Sequence, residues 1–162
     1  MTQARATQIK DWLEAVKDPE IPVISLRELG VLRDVQVDES GHVKVDMTPT
    51  FAGCPAIEHM KQEVEETLQK HGVEDYEVKV SFESQWNSNM ISDEGRKKLH
   101  QFGLAPPPIH NMIVDLDILL HVECPHCGSK QTEMKSPFGP TLCRSLHYCN
   151  NCRQAFEQFK PL

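Results

Sequence analysis

The chain has 162 residues, 39% hydrophobic and 25% charged, the make-up of one or two globular domains and not of a disordered segment. Acidic residues outnumber basic ones 24 to 17, for a formal net charge of -7, which argues against non-specific binding to phosphate backbones or to anionic membranes. No apolar run approaches the ~18 residues of a membrane helix, because Asp115 and Asp117 interrupt even Ile113–Leu120, and the N-terminal MTQARATQIKDW has no apolar signal-peptide region, so a cytoplasmic protein is expected.

Ile9, Trp12, Leu13 and Val16 recur at helical spacing, and Asp18-Pro19 should stop that helix. Ser25 and Glu28 have capping-box spacing with Gly30 as the stop, which fits a single helical turn. Val35 and Val37, then Val43, Val45 and Met47, alternate with polar residues around the turn Glu39–His42, a β-hairpin. The loop Thr48–Pro55 leads into a helix with the stripe Ile57, Met60, Val64 and Leu68, ended by Gly72. A third strand should place Tyr76, Val78, Val80 and Phe82 on one face. Beyond Trp86, Ser92 caps a short helix that ends near Phe102-Gly103. The prolines at 106–108 can neither continue a helix nor pair centrally in a sheet.

These elements predict an α+β fold, a small mixed sheet with helices in the order α-β-β-α-β-α, followed by a C-terminal zinc ribbon. The expected division is an α+β domain over 1–104, a linker over 105–122 and the ribbon over 123–162. Charge follows it: residues 1–123 hold 12 basic and 22 acidic side chains, and residues 124–162 hold 5 and 2.

Six cysteines in a cytosolic chain read as ligands or reactive thiols before disulfides. Cys124-Pro-His-Cys127 and Cys149-Asn-Asn-Cys152 are two C-x-x-C units with 21 residues between them, slightly more than the usual ribbon spacing. Two such turns bring four thiolates to one cation in the tetrahedral geometry of a closed structural zinc site. The module has little apolar core, so it should depend on that metal, whose binding is worth ~10–16 kcal/mol in small zinc peptides. Four thiolates already complete the tetrahedron, which leaves His126 and His147 as surface residues. They also bring the module's charge from +3 to about +1, too little for a nucleic-acid surface. A protein-binding role is the better expectation. Cys143 reads as a small core hydrophobe or as a fifth functional thiol.

Cys54 stands apart from the others. Pro55 suits the first helical position, which makes Cys54 the expected N-cap, where unpaired N–H groups favour a thiolate and should lower the thiol pKa. Plain capping or gap-filling is an equal account from position alone. His59, about one turn on, is a candidate base or ligand, although a solvated helix face explains it as well. Asp18 and Glu20 put two carboxylates beside prolines, as cation ligands or as ordinary turn residues.

DPEIPVISLRELG at 18–30 and DMTPTFAGCP at 46–55 resemble the iron–sulfur assembly domain family. With CPHCGS at 124–129, SPFGPTLCR at 136–144 and FEQFK at 156–160, the chain is similar to the PaaD family, the D components of the bacterial phenylacetyl-CoA 1,2-epoxidase system. The resemblance implies a non-catalytic accessory protein that helps to mature a metal centre in a partner. That partner is either the di-iron oxygenase subunit or the reductase that carries flavin and an iron–sulfur cluster. It places the family's functional thiol at Cys54, the acidic motif at Asp18 and Glu20, and the flanking threonines at Thr48 and Thr50. The ribbon ligands fall on Cys124, Cys127, Cys149 and Cys152, and a further motif position on Cys143. Zinc is then structural, and iron or an iron–sulfur cluster a transient cargo. Three functions compete on this reading: a maturation factor working through Cys54, a docking subunit working through the ribbon, and a thiol enzyme or redox component with Cys54 as nucleophile.

Overall fold

The computed structural model describes residues 2–111 and 116–161, which fall into two compact units divided after Trp86. The first opens with α1 (Thr2–Leu13), whose buried side chains are Ala6, Ile9 and Leu13. It stops ahead of Asp18-Pro19, because Glu14, Ala15 and Val16 each donate to a carbonyl three residues back and tighten the last turn out of α-geometry. Val16 is nonetheless buried, and Trp12 lies flat on His71 with ring centroids 4.4 Å apart.

The single turn α2 (Leu26–Leu29) carries the full capping box. Ser25 accepts from the Glu28 N–H, Glu28 accepts from the Ser25 N–H, and Gly30 closes the turn at φ 81°. The hairpin follows as β1 (Leu32–Val37) and β2 (Val43–Met47), antiparallel with Val35 opposite Val45. Asp38 organises its turn, accepting from the N–H groups of Ser40 and His42. Helix α3 (Ile57–Lys70) buries Ile57, Met60, Val64 and Leu68, the expected stripe.

Strand β3 (Tyr76–Val80) lies parallel to β2, so β2-α3-β3 is a βαβ unit and the sheet order is β1-β2-β3. In β3 only Val78 is fully buried, and Phe82 lies beyond the strand, largely in solvent. The physical reason is position: β3 is an edge strand with one neighbour, and the last ladder bond runs from the Ser81 N–H to the Met47 carbonyl. The core gathers Ile9, Leu13, Ile24, Leu26, Val43, Val45, Met47, Val64 and Leu68, and burying each such side chain is worth about 1.5–3 kcal/mol.

The second unit starts with a turn of 3₁₀-helix at Ser88–Met90 and α4 (Asp93–Phe102), capped by the Ser92 hydroxyl and closed by Gly103 at φ 93°. The sequence reading put this helix in the first domain and a linker after it. In the structure, β4 (Leu104–Ala105) pairs parallel with the last strand of the ribbon, and residues 87–111 belong to the ribbon's unit. Side chains distant in sequence hold the prolines there: Asn89 exchanges hydrogen bonds with the backbone of His110, and Arg96 donates to the carbonyls of Ser88 and Pro107. The short helix α5 (Leu116–Leu120) precedes β5 (Thr132–Ser136), β6 (Arg144–Cys149) and β7 (Ala155–Phe159), giving a four-stranded sheet in the order β4-β7-β6-β5. Its small buried cluster is Ala105, Val122, Cys124, Cys149 and Phe156. The architecture is α+β, with a small mixed sheet and a C-terminal ribbon.

Candidate functional site

Two chemically distinct sites stand on the two units. In the ribbon, each C-x-x-C turn repeats one hydrogen-bond pattern. The Cys124 N–H donates to the Ser129 carbonyl and the Gly128 N–H to the Cys124 carbonyl, both at 2.9 Å. The Cys149 N–H donates to the Gln154 carbonyl and the Arg153 N–H to the Cys149 carbonyl, again at 2.9 Å. Together the knuckles bring the sulfurs of Cys124, Cys127, Cys149 and Cys152 within 4.8 Å of one another.

The Sγ–Sγ separations of 3.7 Å for Cys124 with Cys152 and 3.6 Å for Cys127 with Cys149 fit the edges of a zinc–thiolate tetrahedron, ~3.8 Å for Zn–S bonds of ~2.3 Å. The donor set and its spacing therefore fit zinc. The Asn151 amide donates to the Cys127 sulfur and brings that thiol down to about 6, whereas desolvation and the neighbouring sulfurs push Cys152 up to about 12. A cation resolves this conflict by favouring all four thiolates at once.

His126 is exposed, as expected, but His147 is not a surface residue. It is fully buried, with Nε2 2.8 Å from the Ser145 hydroxyl and its ring stacked on Phe156, and burial lowers its pKa. The signal was present in the sequence. In a strand, residues two apart share a face, so His147 lies in phase with the inward ligand Cys149. Cys143 is buried six residues before Cys149, on the order of 20 Å away along β6, too far to share its metal.

In the first unit, the loop after β2 starts from buried Thr48, whose N–H donates to the Val31 carbonyl at 2.8 Å. A turn closed by the Cys54 N–H on the Phe51 carbonyl then presents Cys54, half-buried, in no disulfide. Cys54 is not the N-cap. That position falls on Ala56, which offers no side-chain cap, and the first helical bond runs from the Met60 N–H to the Ala56 carbonyl. Ile57 is the first side chain of this segment to reach the core, and that anchoring sets where the helix begins. The thiol therefore sits on a turn ahead of α3.

Thr48, Thr50 and Phe51 line a cleft of about 270 Å³ together with Phe82, Ser84, Gln85 and Trp86. Trp86 is buried and its indole N–H donates to the Leu29 carbonyl at 3.0 Å. The sequence reading did not single it out as a site residue, although a lone tryptophan in the polar run ESQWNSN was a usable signal. Asp18 is a turn former here, accepting from the N–H groups of Glu20 and Ile21 at 2.8 and 3.0 Å. It lines a separate groove with Pro19, Pro22, Glu63 and Glu66. Glu20 is exposed. His59 is exposed and pairs with Glu63 one turn along α3, at 3.6 Å.

Comparison with known proteins covers both units. Residues 6–82 match the family described as iron-sulfur cluster assembly protein, and residues 117–160 match the PaaD zinc beta ribbon domain. A protein of Escherichia coli K12, named as a component of 1,2-phenylacetyl-CoA epoxidase, is 34% identical over 91% of this chain and 88% of its own length. An Fe-S protein maturation auxiliary factor of Porphyromonas gingivalis is 36% identical over 54% of this chain and 83% of its own. A second such factor, YitW of Bacillus subtilis, is 34% identical over 57% and 90%. Among solved structures, a domain of unknown function, DUF59, from Bacillus anthracis superposes with a TM-score of 0.57 at 29% identity, over 60% of this chain and 93% of that one.

Proposed function

Because this chain belongs to the PaaD family, an iron–sulfur cluster assembly domain joined to a PaaD zinc ribbon, we propose that it is a maturation factor of a phenylacetyl-CoA epoxidase system. In this role Cys54 transiently holds iron or an iron–sulfur cluster for delivery to a partner. The observation that carries the reading is the division of the thiols. Four are gathered into one closed sulfur site, while Cys54 stands half-buried on a turn of the assembly domain.

Each arrangement suits a different task. A four-thiolate tetrahedron holds a metal as structure and leaves no open position. A single thiolate cannot retain a cluster that normally takes four protein ligands, so whatever Cys54 binds can leave again. On binding, Cys54 gives up its thiol proton and contributes one sulfur ligand, the others coming from the recipient or from small thiols. Thr48 and Thr50 flank the thiol loop, and Asp18 and Glu20 remain the candidate acidic motif. The names of the relatives, maturation auxiliary factors, accord with a non-catalytic role.

The test is metal and sulfide analysis of this chain and of each epoxidase component after co-expression, with wild type and Cys54→Ala compared. The expected result is about one zinc per chain in both forms, with iron falling in one partner only for the variant. Full iron loading of every partner with Cys54→Ala would refute delivery through this thiol and leave a docking subunit as the better account.

A further inference from the structure

Resting on the reading that this chain serves an epoxidase system, we infer that the tip of the β5–β6 hairpin, residues 137–143, is the surface by which the ribbon docks on the metal-bearing component of that system. The tip is a fixed structure. The Phe138 N–H donates to the Ser136 hydroxyl at 3.1 Å, the Gly139 N–H to the Arg144 carbonyl at 2.8 Å, and the Arg144 N–H to the Thr141 carbonyl at 3.2 Å. A Cβ at Gly139 would lie 3.2 Å from that of Arg144, so the backbone approaches closely there. Cys143 anchors the base of the tip, buried, with its sulfur 3.1 Å from the Thr141 hydroxyl and its carbonyl accepting from the Lys160 N–H.

On this frame Phe138 and Leu142 are 63% and 59% exposed. Two large apolar side chains held in water on an ordered turn lose little further freedom on docking, the property of interface anchors. Charge states the complement. Lys160 places its ammonium 5.2 Å over the Phe138 ring and donates to the Pro137 carbonyl, whereas Arg144 and Lys135 are matched within the ribbon by Glu157 and Glu133. The fitting surface is an apolar pocket with a carboxylate at its rim.

The relatives indicate whose pocket it is. The two auxiliary factors are spanned over 83% and 90% of their lengths by just over half of this chain, which leaves too little of either for a ribbon-sized module. The relative matched over 91% of this chain is named for the epoxidase. Possession of the ribbon thus goes with dedication to that system, and the tip is the ribbon's exposed apolar feature with a built frame.

The test measures the affinity of the full zinc-loaded chain for each purified epoxidase component. Wild type is compared with Phe138→Ser/Leu142→Ser, with Lys160→Glu, and with Ile109→Ser as an exposed apolar control. For one component the double variant should bind about tenfold more weakly or worse, with Lys160→Glu weakened in the same direction, the control unchanged and zinc content equal throughout. If the double variant loses zinc, the affinity of Lys160→Glu decides between the two outcomes. Unchanged affinity in the zinc-loaded tip variants, or no binding by wild type to any component, overturns the inference. So does a wild-type dimer that the tip substitutions dissociate without changing partner affinity, since the occupant is then a second copy. Iron loading after Cys54→Ala is read separately: its failure removes the maturation role and leaves docking standing, and the reverse result removes docking alone.

Discussion

Gly128 and Arg153 occupy the same place in the two zinc knuckles. Each is the fourth residue after a cysteine, each donates its N–H to that cysteine's carbonyl, and each has a positive φ, 74° and 60°. Glycine reaches that conformation without strain, whereas an L residue with a Cβ spends about 1–2 kcal/mol on it. The extra chain entropy of glycine in the unfolded state offsets part of that gain. Arg153→Gly should therefore stabilise the zinc-loaded ribbon by about 0.5–1 kcal/mol, and Gly128→Ala should destabilise it by about 1–2 kcal/mol. Denaturant melts of the two variants decide it, and equal midpoints would mean that the left-handed positions carry no strain.

Removal of the metal should separate the two units. The ribbon's buried cluster is three side chains, Ala105, Val122 and Phe156, around two of the ligand sulfurs, and so small a core does not outweigh the chain entropy of ordering the sheet. The first unit holds its own core of Ile9, Leu26, Val45, Val64 and Leu68. A strong chelator should make residues 116–161 susceptible to protease and erase their amide protection, while residues 2–86 keep theirs. Survival of the β6–β7 amides without metal would contradict this.

What the sequence disclosed was local, and what it concealed was not. The capping box at Ser25, the stripe Ile57–Leu68 and the closing glycines at 30 and 103 are short-range patterns, and the structure contains each. So are the two C-x-x-C turns, which is why the four ligands could be named from spacing. The place of residues 93–111 depended instead on bonds such as Asn89 with His110 and on the pairing of Ala105 with Gln158, which no local pattern encodes. The helix start after Cys54 was misplaced by two residues for a related reason, since Pro55 permits the first helical position and burial of Ile57 decides it. His147 was legible in principle through the two-residue period of β6, once Cys149 was taken as an inward ligand.

The hairpin turn carries a pH-dependent contact. His42 Nδ1 lies 2.7 Å from Asp75 Oδ1, and the hydrogen bond to Asp75, helped by the charges of Asp75, Asp38 and Glu77, raises the His42 pKa above its ordinary value. A raised pKa means that folding favours the protonated ring. The contribution is complete below ~6.5 and is lost as pH rises through the folded-state value above it. Because the pair is exposed, the effect is small, but its sign is definite. The Tm of the first unit should fall between about pH 6 and about pH 8, and Asp75→Asn should remove that slope. An unchanged slope in the variant would assign the titration elsewhere.

Trp86 ties the far wall of the cleft beside the thiol loop to α2 through its bond to the Leu29 carbonyl. Trp86→Phe keeps an aromatic ring in place but deprives that carbonyl of its donor, at a cost of about 1–2 kcal/mol. Trp86→Ala also empties the site and should cost about 3–5 kcal/mol. Trp12, the other tryptophan of the chain, remains as the fluorescent reporter for urea melts. If Trp86→Phe melts like wild type, the indole bond contributes nothing to the first unit.

Cys143 and Cys149 stand at opposite ends of β6, and their replacement should separate metal binding from packing. Cys149 is one of four sulfurs within 4.8 Å, so Cys149→Ala leaves three ligands and should lower zinc affinity by orders of magnitude. Cys143 lies on the order of 20 Å off, beside the Thr141 hydroxyl at the base of the hairpin tip. Cys143→Ala should therefore retain about one zinc per chain, lose about 1 kcal/mol from a small buried void, and loosen the tip, seen as faster amide exchange at Gly139 and Lys160, whose N–H groups donate to the Arg144 and Cys143 carbonyls. Loss of zinc from Cys143→Ala would show that this thiol reaches the metal by a rearrangement of the hairpin, and the tip could not then be the fixed element that docking requires.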